Sequence, residues 1–299
     1  MKVVAFILKD GVRSEAEMAD HSGKIATGDG GAKVALVTGA STGIGRAIAE
    51  QLARDGLRVF GASRKRPETA PVGVEMLALD VCSDESVRSC IDQVLAKAGQ
   101  IDVLVNGAGY LLTGAVEETT IEEAKAQVET NFFGTFRMIR AVLPAMRARR
   151  AGQIINITSL AGLVPLPFWG LYTASKFAVE GLTETLRYEL RPFGISVSAV
   201  EPGYIKTPLY AVERKTHAID AYGPWHRRFS KKMAEFDGRA PGPELVARAV
   251  AKAVRARHPA LRYKVTREAV VFTLMRNWFP PSLYESGLRT GFHLDDQRY

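Results

Sequence analysis

The stretch Lys33–Thr38, Lys-Val-Ala-Leu-Val-Thr, is a short apolar run that ends at Gly39, and further glycines follow at 43 and 45. A run of this length bounded by glycine reads as a buried strand. From Gly43 to Asp55 the apolar residues Ile44, Ile48 and Leu52 recur at helical spacing. A strand that passes through G-x-x-x-G-x-G into a helix has few ways to fold. The glycines permit a tight turn and a close approach of backbone. The helix then points its unpaired N–H groups and the positive end of its dipole at whatever lies above the turn, an arrangement suited to a pyrophosphate.

The same alternation continues along the chain. Leu57–Ala62, Gly73–Leu79, Ile101–Val105, Gln153–Thr158 and Ile195–Glu201 are predicted strands. Asp84–Ala98 is a predicted helix, Ile121–Arg149 a long one carrying Val128, Phe132, Phe136 and Ile139, and Tyr172–Arg191 a third. Short apolar strands alternating with helices imply an α/β fold, a doubly wound parallel sheet in three layers, with ligands at the carboxyl ends of the strands. Past Pro202 the rhythm changes: Thr207–Gly242 shows no clear period, Pro243–Ala256 is helical again, and a short strand is expected near Leu261–Val265. The expected organisation is an N-terminal extension over 1–32, a single domain over 33–265 and a C-terminal helical tail over 266–299.

Charge and cysteine content narrow the partners. The chain carries 40 Lys and Arg against 32 Asp and Glu, and residues 205–299 hold 18 of the former and 9 of the latter. The excess of positive charge therefore lies entirely in the last third. Its dense segments, Arg227–Lys232 and Arg248–Arg257, come with no groove-reading motif or stacking platform, so no nucleic acid is expected. Two cysteines, Cys82 and Cys90, make neither a disulfide framework nor a four-ligand zinc site. No metal is expected, and a reducing, cytoplasmic setting is. The apolar run Val3–Leu8 mimics a signal peptide but is short for one. A frayed tail, an extra strand, or a true start at Met18 are the readings for residues 1–17. The uncharged stretch Ala151–Ser175 is interrupted by Asn156, Pro165 and Pro167, which fits a buried strand and loop rather than a membrane helix.

The second predicted strand ends Gly61-Ala62-Ser63-Arg64. An acidic side chain at this point would bind the ribose 2′-hydroxyl of NAD. Ser63 stands there instead, and the Arg64 guanidinium can pair with a 2′-phosphate, which favours NADP(H). Asp80-Val81 and Asn106-Gly107-Ala108-Gly109 end the third and fourth strands, where a ligand would cross. Tyr172 and Lys176 are four apart on a predicted helix and so share a face. A lysine ammonium and a cationic nicotinamide nearby would favour the phenolate of a tyrosine. Ser159, thirteen residues earlier, lies at the end of the fifth strand.

Together, T-G-x-x-x-G-x-G at Thr38–Gly45, N-G-A-G at Asn106–Gly109, Asn131, Ser159, Y-x-x-x-K at Tyr172–Lys176 and P-G-x-x-x-T at Pro202–Thr207 resemble the short-chain dehydrogenase/reductase superfamily, in its single-domain branch. The resemblance implies a Rossmann-type fold and specific roles. Tyr172 would be the general acid/base, Lys176 would lower its pKa and hold the nicotinamide ribose, Ser159 would polarise the carbonyl, and Asn131 would keep a water in a relay to Lys176. Gly39, Ser41, Ile44, Gly45, Ser63, Arg64, Asp80, Val81, Asn106, Gly107 and Ala108 would line the adenosine and pyrophosphate path. Pro202, Gly203, Ile205 and Thr207 would flank the nicotinamide. Gly107 departs from the pattern, many members having a second Asn there. Thr42 is another departure, since members that prefer NADP often carry a basic residue at that position.

Leu163, Val164, Leu166, Phe168, Trp169, Tyr110, Leu111, Leu112, Tyr204, Leu209 and Tyr210 offer an apolar surface for a small apolar substrate. On this basis, and on Arg262–Val265, the chain is similar to hydroxysteroid and retinol dehydrogenase-like members. The expected activity is hydride transfer between NADP(H) and an apolar ketone, aldehyde or secondary alcohol. The alternatives are a 3-oxoacyl thioester reductase and a non-catalytic NADP-binding module. The tail Glu268–His293 reads as a lid or dimer contact, favoured over a membrane-surface element. A homodimer or homotetramer is expected from the resemblance.

Overall fold

The computed structural model describes residues 31–65, 67–207, 214–215, 219–292 and 294. The expected 1–32 extension therefore lies, apart from its last two residues, outside the described residues, as do Leu209 and Tyr210.

Strand β1 (Val34–Thr38) is buried along its whole length. It is followed by helix α1 (Gly43–Arg54), β2 (Arg58–Ser63), β3 (Val74–Ala78), α2 (Asp84–Ala98) and β4 (Val103–Asn106). After a two-residue β5 (Leu112–Thr113) come α3 (Ile121–Val128), α4 (Gly134–Arg149), β6 (Gly152–Ile157), α5 (Gly170–Leu190) and β7 (Ile195–Glu201). The remainder is a two-residue β8 (Arg214–Lys215), then α6 (Gly223–Asp237), α7 (Glu244–Arg255), β9 (Arg262–Lys264), α8 (Arg267–Trp278) and α9 (Pro281–Gly291). Seven strands form one parallel sheet in the order β3-β2-β1-β4-β6-β7-β9, and β5 pairs with β8 separately. The chain starts in the middle of the sheet and winds outward both ways, leaving the switch point between β1 and β4.

Alternation along each strand divides the core. Val34 and Leu36 of β1 face Val87, Ile91 and Val94 of α2 and Met138 of α4. Ala35 and Val37 face Ile48 and Leu52 of α1 and Val250 of α7 on the other side. Full burial on both faces, at about 1.5–3 kcal/mol for each large aliphatic side chain, explains why these strands read as continuous apolar runs. A third cluster at the carboxyl end of the sheet joins Leu111, Val164, Trp169, Tyr172 and Tyr204 to Phe229 of α6 and to Phe292.

Two expectations are corrected. The predicted long helix Ile121–Arg149 is interrupted by a π-helical turn over Glu129–Phe133, which separates α3 from α4. The wider turn changes the phase of the buried face: Met138, Ile139, Val142 and Met146 are buried, whereas Phe136 is 36% exposed. The stretch Thr207–Gly242, without clear period in the sequence, contains α6. Its apolar residues Trp225, Phe229, Met233 and Phe236 do keep helical spacing, but four intervening Arg and Lys residues mask it.

Candidate active site

The switch point is built by one hydroxyl. Thr38, at the end of β1, accepts hydrogen bonds on Oγ1 from the Gly107 and Ala108 N–H groups at 3.0 and 3.1 Å. The turn after β1 and the turn after β4 are thereby drawn together. Gly39 sits at φ 71°, and a Cβ there would lie 2.8 Å from the Gly107 carbonyl oxygen. A Cβ on Gly45 would run into the Gly39 carbonyl, so α1 can lie this close to β1 only with glycine at that position. The departure at Gly107 now has a physical setting, since a Cβ at that residue would meet the Thr38 carbonyl oxygen at 2.8 Å.

This cradle suits a dinucleotide. Helix α1 starts at Thr42 without a side-chain cap and has no acidic residue in its first turn, so its N-terminal field is uncompensated. Ser41 and Ile44 flank it, each partly buried. Asn106 donates from Nδ2 to Asn156 Oδ1 at 2.9 Å, while its own Oδ1 is buried and lacks a partner among the described residues. That acceptor fits a ribose hydroxyl or an adenine amine. Asp80 accepts the Cys82 N–H on Oδ1 at 3.0 Å, which shapes the turn after β3, and the neighbouring Val81 is buried against Gly134. At the end of β2, Ser63 donates its hydroxyl to the Lys65 carbonyl at 2.7 Å, and the Arg64 side chain is exposed to solvent. On the far side, the Pro202 carbonyl accepts from Leu160 N–H at 2.7 Å. Gly203 packs tightly on Thr266, Ile205 is buried, and Thr207 is partly exposed.

At the chemical end, α5 places Tyr172, Ser175 and Lys176 on one face, all three buried. Burial pushes the pKa of Tyr172 up to about 12, and the Ser159 side chain beside it opposes the shift. Lys176 donates from Nζ to the Ile157 carbonyl at 2.9 Å and lies 5.7 Å from the centre of the Tyr172 ring. Burial pushes the lysine down to about 8, with Glu180 acting the other way. Ser159 also accepts the Ala161 N–H at 3.1 Å, which fixes its side chain at the head of the turn Leu160–Gly162. Asn131 lies in the π turn. Its amide bonds both the N–H and the carbonyl of Tyr110 at 3.1 Å and reaches the Ser175 hydroxyl at 3.2 Å. Gly109 leaves room beside it: a Cβ there would lie 3.0 Å from Asn131 Oδ1 and 3.9 Å from Lys176 Nζ. Asn131, Ser159, Tyr172 and Lys176, distant in sequence, thus meet at the ends of β4 and β6.

Sequence reasoning gave no role to Thr38, Gln127, Asn156 or Ser175. Gln127 accepts Leu112 N–H at 2.8 Å and donates to the Tyr110 carbonyl at 2.9 Å, so it holds the same loop as Asn131, one turn away on α3. A spacing of four between Gln127 and Asn131 was the available signal. Over the site, Glu118 ties α6 down. Its buried carboxylate accepts Ala115 N–H at 2.7 Å, Ile219 N–H at 2.8 Å and His226 Nε2 at 2.7 Å. Phe168 packs against His226, with ring centres 4.4 Å apart and the planes tilted by 36°. Of the tail, Phe272, Tyr284 and Phe292 pack into the cluster around Tyr172, and Trp278 is 80% exposed.

Comparison with known proteins agrees with this geometry. The sequence model of the family described as short chain dehydrogenase matches residues 33–218. The chain is 38% identical over 262 residues to a 3-ketodihydrosphingosine reductase of Bacteroides thetaiotaomicron, covering 86% of this chain and 97% of the relative. It is 34% identical over 275 residues to an estradiol 17-beta-dehydrogenase 1 of Rattus norvegicus, covering 83% and 77%. Among solved structures, actinorhodin polyketide ketoreductase with NADPH superposes with a TM-score of 0.66 at 34% identity, over 80% of this chain and 97% of that one.

Proposed function

The chain belongs to the short-chain dehydrogenase family, and from that premise we propose that it is an NADP(H)-dependent oxidoreductase acting on an apolar, lipid-like ketone or aldehyde, or on the corresponding alcohol. The observation that carries this reading is the buried Tyr172, with the Ser159 side chain beside it and Leu111, Trp169 and Tyr204 packed around it. A polar donor pair in an apolar enclosure fits a substrate with one reacting oxygen.

In reduction, Ser159 and Tyr172 hydrogen-bond the carbonyl oxygen, and Tyr172 gives it a proton as the carbon receives hydride. Lys176 stabilises the phenolate that Tyr172 leaves behind. In oxidation the same phenolate takes the alcohol proton. Asn131 holds the Tyr110 backbone and Ser175 in place beside the lysine. A nicotinamide, when bound, would supply or accept the hydride. Gly39, Gly45, the N-terminus of α1 and Asn106 would hold the dinucleotide, and Arg64 would meet the 2′-phosphate. The named activity of the Bacteroides relative supports a long-chain ketone, and that of the rat relative a steroid. A homodimer or homotetramer is the proposed assembly, supported by Phe133 and Tyr188, which are 43% and 75% exposed.

The test is NADPH consumption against long-chain 3-ketones, ketosteroids, retinal, simple ketones and 3-oxoacyl thioesters, repeated with NADH. Turnover of an apolar ketone with NADPH is expected. A clear thioester preference would make the protein a 3-oxoacyl thioester reductase, and tight NADPH binding with no turnover of any carbonyl would make it a binding module.

A further inference from the structure

A second polar cluster begins one turn beyond the site. Tyr172, Lys176, Glu180 and Glu184 follow each other at intervals of four on α5, so they form one stripe down the helix. Arg262, on the edge strand β9, inserts its guanidinium at the lower end of this stripe. Its Nη1 donates to Glu180 Oε2 and to Glu201 Oε1, each at 2.5 Å, and its Nη2 bonds Glu184. The Glu180 and Glu201 side chains are 5% and 0% exposed, while Glu184 is 46% exposed. Two buried carboxylates thus share one guanidinium. Such a group is costly unless further positive charge lies within reach. Lys264 supplies part of it at Glu201, and Glu180 in turn acts on the buried Lys176, one turn up the stripe.

We propose that Glu180 is a positioning residue for the site: clamped by Arg262, its carboxylate keeps the ammonium of the buried Lys176 protonated beside Tyr172. This rests on the role given to Lys176 under the proposed function. Tyr172 and Glu180 flank the lysine on α5, and the packed elements present the Ile157 carbonyl of β6 and the tight contact at Gly162. Around Glu180 stand Lys176 and Glu184 on its own helix, Glu201 on β7, and Arg262 and Lys264 on β9. Burial and the neighbouring Glu201 push Glu180 up to about 7, against the pull of Arg262. Burial works against the ammonium of Lys176, and the Glu180 carboxylate opposes its loss.

The test reads the lysine itself. In protein labelled with carbon-13 at the lysine Cε, the Lys176 resonance is assigned by its loss in Lys176→Arg and then titrated in the wild type, Glu180→Gln and Glu184→Gln. Glu180→Gln should lower the midpoint by about one pH unit. Glu184→Gln disturbs the same Arg262 cluster at its exposed end and should leave the midpoint in place. A folded Glu180→Gln with an unmoved midpoint, or an equal displacement in Glu184→Gln, overturns the proposal. Should Glu180→Gln fail to fold, Glu180→Met, an apolar residue of similar volume, takes its place, and an unmoved midpoint there overturns the proposal equally. Turnover is not needed, so inactivity on every carbonyl would sink the function reading and leave this measurement decisive.

Discussion

The ammonium of Lys176 on α5 is bonded at 2.9 Å to the carbonyl of Ile157, the last residue of β6. Two residues further on, the same chain end carries Ser159, whose hydroxyl meets Tyr172. A single strand end therefore aligns both partners of the tyrosine. The three side chains are placed by packing between β6 and α5 rather than by a mobile loop, which is the preorganisation that proton transfer requires.

Tyr172→Phe should bind NADPH as the wild type does and lose about 10²–10⁴-fold in kcat, the usual contribution of a positioned acid or base. The fluorescence of bound NADPH and steady-state turnover check the two halves separately. Turnover within about tenfold of wild type would remove the tyrosine from the mechanism.

The pH dependence of alcohol oxidation should report on Lys176. Burial pushes Tyr172 up to about 12, so the phenolate needs the adjacent positive charge to form at moderate pH. Lys176→Met removes that charge. The rise of kcat/KM for oxidation should then move to higher pH by more than about one unit. An unshifted profile in a folded Lys176→Met would show that the lysine does not govern the tyrosine.

Much of this arrangement was legible in the sequence, and the reasons differ by element. β1 and the glycines after it were readable because burial on both faces forces a continuous apolar run and the close packing at Gly45 excludes side chains. Tyr172 and Lys176 were readable because helical spacing alone puts them together. The π turn at Asn131 was not, since its signal is a tertiary one: the Asn131 amide bonds the Tyr110 backbone, twenty-one residues away. Helix α6 was hidden because only Phe229 is fully buried on it, and the Arg and Lys residues at its exposed positions interrupt the apolar ones.

Thr38→Val keeps the shape of a fully buried side chain and removes one oxygen. The Gly107 and Ala108 N–H groups would lose their shared acceptor. A loss of about 1 kcal/mol in the stability of the unliganded protein is expected, the cost of leaving two partly buried N–H groups without their acceptor, together with weaker NADPH binding. Urea unfolding with and without NADPH measures both. Unchanged stability would mean that water replaces the hydroxyl.

Glu118 makes the tie across the site sensitive to acid. Burial alone would raise its pKa, but the N–H groups of Ile219 and Ala115 and the bond to His226 hold it below the ordinary carboxylate value. Its contribution to stability is therefore complete above the unfolded value of about 4.3 and is lost as pH falls through the lower folded value. Glu118→Gln should be less stable at neutral pH and should lose less stability than the wild type between about pH 5 and pH 3. Urea midpoints across that window check it, and parallel slopes in the two proteins would contradict it.

Arg64→Ala tests the choice of cofactor. Arg64 is exposed at the carboxyl end of β2, where the ribose of a dinucleotide would lie. The preceding Ser63 donates its hydroxyl to the Lys65 carbonyl, and neither Ser63 nor Arg64 offers a carboxylate to accept from a 2′-hydroxyl. A guanidinium bonded to a phosphate contributes about 1.5–3 kcal/mol, or roughly 10–150-fold in affinity. NADPH binding should therefore weaken by about that factor in Arg64→Ala, while NADH binding stays within about twofold. Raised salt should weaken NADPH binding in the wild type more than in the variant, because the exposed pair is screened. Equal wild-type affinities for the two cofactors would overturn the assignment to NADP(H), and the acceptor at Asn106 would then carry adenosine recognition without help from the 2′ position.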